Sequence, residues 1–240
     1  MDKKIEFYTN SREIYDSIPH PMPAGRFIPR WFKNLQPDSK DDPTGSTIKR
    51  CVPFLDSLTA GYVIPLWQDI HFHTGYENNN VPFINYSWSV NLIQGDTPIS
   101  EHGWKQIEGS DISKTPLGKY PLKFNNPWVI KTPPGYSCLF LNPLNHYNED
   151  FELISAVVDT DTYTSNINFP FIFLNDDFND VVSRGTPLVQ VIPFKREPWK
   201  INVGVADKKQ TQDTLTTSTK LRTVIKKGYR NFFWHKKSFQ

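Results

Sequence analysis

T132-P-P-G-Y136, I154-S-A-V-V-D-T-D-T-Y163, F169-P-F-I-F-L174 and G185-T-P-L-V-Q-V-I-P-F-K-R196 follow one another along the chain, and their reading decides the fold. The first is a turn that leads into the apolar run Cys138–Leu141. The other three are rich in Val, Ile, Phe and Tyr and are bounded by Pro, Gly, Asn and Asp, the composition of short half-buried β-strands. Four turn-bounded strands in a row predict an all-β core. The same stretch holds a carboxylate pair, Asp159 and Asp161, followed by Tyr163, at the end of a buried-looking strand.

Upstream, S46-T-I-K-R-C-V-P-F54 opens the β region, which continues through A60-G-Y-V-I-P-L-W67, D69-I-H-F-H73 and I84-N-Y-S-W-S-V90. In I70-H-F-H73 and N85-Y-S-W-S-V90 apolar and polar residues alternate, so opposite faces of these strands point to core and solvent. Gln94 to Asn126 is polar and aperiodic and reads as a long excursion of the kind that often carries function. Residues 1–45 read as an N-terminal arm. Pro29 precedes a short helix there, Arg30–Leu35, whose Trp31, Phe32 and Leu35 would dock on the body. The β domain is expected over 46–200 and a Thr-rich linker over 201–219. A basic, aromatic tail fills 220–240, where Leu221, Val224 and Ile225 at i, i+3, i+4 predict a short amphipathic helix that Gly228 ends or kinks.

At 240 residues the chain can bury a sizeable core as one domain with elaborations. Its 20 prolines and 17 phenylalanines against 12 glycines suit many short strands joined by irregular loops better than long helices. The net charge of +2 hides an asymmetry: residues 214–240 carry seven Lys/Arg and no acid, which leaves a body with 20 basic and 25 acidic residues. No run of 18 apolar residues exists, and M1-D-K-K-I-E-F-Y8 lacks the apolar stretch of a secretory signal, so a cytosolic protein, or a particle assembled in a cytosol, is expected. Cys51 and Cys138 sit in apolar contexts and read as two buried thiols. P-loop, G-x-S-x-G and Rossmann glycine motifs do not occur.

Three groups of residues can carry chemistry. Asp159 and Asp161, one residue apart on a strand, would share a face, so one can raise the pKa of the other or both can hold a hard cation. A polar strand end and turn accounts for the same residues. His71 and His73 with Glu77 match the first half of the cupin pattern H-x-H-x-x-x-E and would suit Fe, Mn, Ni or Zn; Cys138 stands where the second half needs a histidine. In the tail, lysines and arginines interleave with Tyr229, Phe232, Phe233 and Trp234. That mixture suits single-stranded nucleic acid or another polyanion, and equally an anchor packed on a protein surface.

The order A60-G-Y62, then the Pro-Pro-Gly-Tyr run ending at Tyr136, then V157-V-D-T-D-T-Y163 and R184-G-T-P-L-V-Q190, resembles the dUTPase-like families over about residues 47–196. The resemblance implies a distorted antiparallel β-barrel or sandwich of the β-clip type, here with short helical arms at both ends, and often a trimer. Asp159 would match the carboxylate that activates water, Tyr163 the ring under the nucleoside, and Gln190 a polar residue on the phosphate side; Tyr62 and Asn142 fall in the neighbouring ligand-binding segments. Mg2+ would accompany a nucleotide, and no cofactor is expected otherwise. Val63 and N142-P-L-N145 depart from the metal-associated and phosphate-binding motifs of that family, so the phosphate grip is missing. I28-P-R-W-F-K33, T47-I-K-R-C-V-P-F54, T132-P-P-G-Y136, V157-V-D-T-D161 and G185-T-P-L-V-Q-V-I-P-F-K-R196 also resemble, nearly end to end, a family of tailed phages and some bacteria to which no activity is attached. Together these imply a phage-derived structural or binding module of host cytoplasm or virion, oligomerising through its arms. A nucleotide pyrophosphohydrolase or deaminase relative is the first alternative, and a cupin-type metalloenzyme the second.

Overall fold

Most of the segments rich in β-branched and aromatic residues form short strands, several of which carry a proline, as Pro82, Pro170 and Pro193 show. The computed structural model of the chain describes residues 3–41, 45–78, 80–89, 97–115, 117–224 and 228–240. In chain order the elements are β1 (Glu6–Tyr8), α1 (Arg12–Ser17), β2 (Met22–Pro23), α2 (Arg30–Asn34), α3 (Val52–Leu58), β3 (Tyr62–Pro65), β4 (Ile70–Glu77), β5 (Val81–Ser87) and β6 (Ile99–Glu101). Then come β7 (Leu122–Phe124), β8 (Val129–Lys131), β9 (Tyr136–Leu141), β10 (Phe151–Leu153), β11 (Ala156–Val158), β12 (Phe169–Phe173), β13 (Asn179–Val182), β14 (Pro187–Lys195), α4 (Lys208–Thr223) and α5 (Gly228–Phe232).

The strands build four antiparallel sheets: β11-β9-β14-β3-β2, β10-β12-β7-β6, β13-β4-β5 and the pair β1-β8. Among the described residues these sheets do not close into one barrel. Phe72 on β4 packs edge-on against Phe171 and Phe173 of β12 at 6.0 and 5.1 Å, and Phe124 of β7 stacks on Phe171 at 4.2 Å. All four rings are fully buried. Aromatic pairs of this kind add about 0.5–1.5 kcal/mol beyond their burial, so the phenylalanine excess is the core joining the three- and four-stranded sheets.

Several sequence expectations change. Part of the expected N-terminal arm is woven into the body: β1 pairs with β8, and β2 forms the edge of the five-stranded sheet beside β3. The expected docking helix is present as α2, but Phe32 alone is buried; Trp31 stays exposed, edge-on to Phe54 at 5.9 Å. Ser46–Phe54, expected to open the β region, instead forms a 3-10 turn and the start of α3, because Pro53 falls in the first helical turn, where its missing N–H costs nothing. Thr-rich 208–223 is helical rather than an irregular linker. Asp207 and Gln210 form a reciprocal capping box that satisfies the first amides of α4. That helix ends at Thr223, so Leu221 lies in it, Val224 caps it, and the expected partner Ile225 lies outside the described residues.

Candidate functional site

The acid pair lies at the C-terminal end of β11. There the chain turns at once: the amides of Thr162 and Tyr163 donate to the Asp159 carbonyl at 3.1 and 2.9 Å. The two acids therefore do not share a strand face, because Asp159–Thr162 takes the turn its residue types favour. They converge for a different reason. Arg196, the first residue after β14, donates from Nη1 to Asp161 at 3.0 Å and to Asp159 at 3.3 Å, while Nη2 bonds the second Asp161 oxygen. Such a forked arginine–carboxylate pair fixes orientation as well as charge.

The P-P-G turn completes the cluster. Gly135 adopts φ +85, a region glycine enters without steric penalty, and its N–H donates to Asp161 at 2.8 Å. Ser137 donates its hydroxyl to Asp159 at 2.6 Å, and the Arg196 amide donates to the Gly135 carbonyl at 2.9 Å. Beneath the pair, buried Thr160 shares a hydroxyl bond of 2.8 Å with Thr132 and lies 3.3 Å from the Cys138 sulfur. The Asp161 side chain is only 5% exposed. The Arg196 fork, with help from the Gly135 amide, holds its carboxyl down at about 2. A group so low is a poor general base near neutrality; its visible role is to tie β9, β11 and β14 together at one end. Tyr163 stands apart from that cluster, exposed on the wall of an open cleft with Lys123 and Asn166.

The residues associated with ligand binding take backbone partners. Gln190 is 1% exposed, donates to the carbonyls of Ser57 and Ala60 at 3.1 and 2.6 Å, and accepts from the Leu144 amide at 2.7 Å. Asn142 exchanges two bonds with the backbone of Leu153, accepting at 3.0 Å and donating at 3.3 Å, as a neighbouring strand would. Tyr62 packs edge-on against Phe7 and Phe239, and partial burial raises its phenol pKa. The A-G-Y order has a steric cause: Gly61 sits at φ +68, and a Cβ there would meet the Val191 carbonyl oxygen at 2.1 Å.

His71, His73 and Glu77 share the exposed face of β4, in line with the alternation I-H-F-H. Same-face residues on a strand are spaced roughly 7 Å apart, so the three spread along the sheet, and His73 lies against Phe83 at 5.1 Å. Among the described residues no group of three His, Cys, Asp or Glu is placed to hold a metal ion. The cysteines also differ from expectation: Cys51 is exposed, whereas Cys138 is buried and its thiol is pushed up to about 11.

Past Arg196 the chain leaves the sheet as a strap without regular secondary structure as far as Asp207. Trp199, Ile201, Val203 and Val205 are 89, 91, 85 and 99% exposed, with no protein surface over them. They alternate with Lys200, Asn202 and Gly204, a spacing that would put all four on one face once the strap pairs as a β-strand. Sequence reading missed this as an element, although the period-2 signal is present in W199-K-I-N-V-G-V205. Helix α4 follows with no buried residue. The tail then returns to the body. The Trp234 indole N–H donates to both carboxylate oxygens of Asp56 on α3, at 3.1 and 3.0 Å, and Lys237 reaches the same carboxylate at 2.7 Å. Lys226 and Lys227 lie outside the described residues. No helix among the described residues is long and apolar enough to cross a membrane. A scan of family models and a search of curated proteins return no match to this chain.

Proposed function

We propose that the chain is a non-catalytic assembly protein whose strap Trp199–Val205 is a pairing strand for a second copy of itself. The observation that carries this reading is the row of four apolar side chains at alternate positions, all at least 85% exposed. Fully burying side chains of this size stabilises by about 1.5–3 kcal/mol each, so one strap offers on the order of 6–12 kcal/mol. Two straps in a two-fold pair offer about twice that, against association costs of about 4–15 kcal/mol. At about 25 cal/mol per Å² the buried area, counted over both straps and the surfaces they cover, is on the order of 1,000–2,000 Å², the size of a stable interface.

A second copy is favoured because the strap is complementary to itself. Inverted about Asn202, Trp199 falls opposite Val205 and Ile201 opposite Val203, so the apolar rows coincide on one face, as a two-fold axis requires. The sheet from which it emerges supplies the ground. Val157 and Phe194 are exposed there and, with half-buried Leu139 and Ile192, form an apolar row across β11, β9 and β14. An unpaired strap of this kind is otherwise an aggregation hazard. Hydrogen exchange at the amides of residues 199–205 is the test: protection should rise with protein concentration, and free exchange at every concentration would reject the pairing.

The dUTPase-like β-clip kinship belongs to the same proposal. What supports it is adjacency: the four motif-bearing segments lie on β3, β9, β11 and β14, which are neighbours in one sheet. The phage setting, in host cytoplasm or virion, rests on the nearly end-to-end resemblance of the sequence phrases.

A further inference from the structure

Beside the edge of the β10-β12-β7-β6 sheet lies an open cavity of about 530 Å³ lined by none of the candidate site residues described above. Its walls are three aromatic rings, Tyr86 from β5, Trp104 just past β6, and Tyr120 just before β7. Trp104 and Tyr120 are exposed although they line a concavity, and the Tyr86 ring is held in place by Phe72 at 6.4 Å and by a near-parallel Trp88 at 6.4 Å. Between the rings stand Glu101, His102 and Lys119. Among the described residues none of these three side chains makes a hydrogen bond or ion pair with the protein, and all three line the cavity, with Glu101 and Lys119 open to solvent.

We infer that this cavity is a binding site for a neutral saccharide, with the aromatic rings as platforms for the sugar faces and Glu101, His102 and Lys119 as partners for its hydroxyls. The volume lies within the range of small-molecule sites. A pyranose has an apolar C–H face and a rim of hydroxyls, each of which both donates and accepts. A carboxylate that only accepts, an ammonium that only donates and an imidazole that does both match that rim. An anion such as a nucleotide would need a surplus of donors, and here Glu101 opposes Lys119 while burial and nearby Lys123 favour neutral His102. The charge balance therefore selects an uncharged ligand. The inference is independent of the strap, which follows β14 of the five-stranded sheet.

The test is tryptophan fluorescence titration of the full chain with a panel of maltohexaose, cellohexaose and the tetramer of N-acetylglucosamine, beside polygalacturonate and ATP. At least one neutral oligosaccharide should quench the emission saturably. Trp104→Ala and Tyr120→Ala should weaken that binding about tenfold or more without moving the melting temperature, since both side chains are exposed. Glu101→Gln separates ligand classes: it should weaken a neutral sugar, whereas it would strengthen an anion. Binding of polygalacturonate or ATP alone, quenching that survives Trp104→Ala, or no quenching up to millimolar sugar would each overturn the inference.

Discussion

Replacing Gln190 with Leu distinguishes a structural amide from a ligand contact. The side chain is 1% exposed and all its bonds run to backbone: two carbonyls, of Ser57 and Ala60, and one amide, of Leu144. Leucine conserves most of the volume, so little cavity penalty arises, but three backbone groups lose their partner. Leaving a buried polar group unsatisfied costs about 1–3 kcal/mol. Some water can reach the part-buried carbonyls after substitution, so the sum falls toward the lower end, about 3–5 kcal/mol. For a chain of this size each kcal/mol lowers Tm by about 2–4 °C, which predicts a fall of about 6–20 °C by thermal unfolding followed by circular dichroism. Gln190→Glu should be at least as damaging, because a carboxylate removes both donors and is itself desolvated. A Tm within about 2 °C of wild type for Gln190→Leu would refute the reasoning and make Gln190 a ligand contact again.

The Asp161 cluster makes stability depend on acid. The folded carboxyl sits at about 2, below its ordinary value of 3.8, so its contribution is fully present above about pH 4 and disappears as pH falls toward 2. Urea midpoints of wild type and Asp161→Asn should differ near neutrality and converge near pH 2; a gap that persists there would contradict the assignment. Trp234→Ala should release the tail from Asp56, read as early cleavage after residue 228 in limited proteolysis, while the melting of the body is unchanged. Unaltered cleavage would mean that the tail is not held through this indole. Thiol labelling should proceed in two phases, Cys51 fast and Cys138 only on unfolding, and equal rates would place Cys138 at the surface.

The parts of the fold legible in the sequence are those with strong local period. I-H-F-H alternates out and in as read, the P-P-G turn enters β9, and G185–R196 supplies the central strand β14. Other strands are too short to show a period, among them F151-E-L153 and N179-D-V-V182, which form by pairing with β12 and β4. Helix α4 is hidden by its threonines, poor helix formers whose effect the Asp207–Gln210 cap offsets. Of the candidate site, the acid pair is visible but its partner is not: Arg196 reaches Asp161 from 35 residues away, a distance no local pattern encodes. The strap is masked because its alternation lies beside a Thr-rich run that reads as linker. The aromatic cavity, assembled from β5 and the approaches to β6 and β7, draws on a segment whose sequence has no period.

The central claim is that the strap pairs two copies, and the most direct measurement is the particle mass in solution. Light scattering coupled to size exclusion should give at least twice the chain mass of 27.9 kDa for the full chain. Trp199→Asp with Ile201→Asp should give the single-chain mass at an unchanged melting temperature of the body, because neither residue touches it. A full chain that runs at 27.9 kDa at every concentration, or a double variant that keeps the wild-type mass, would contradict the account.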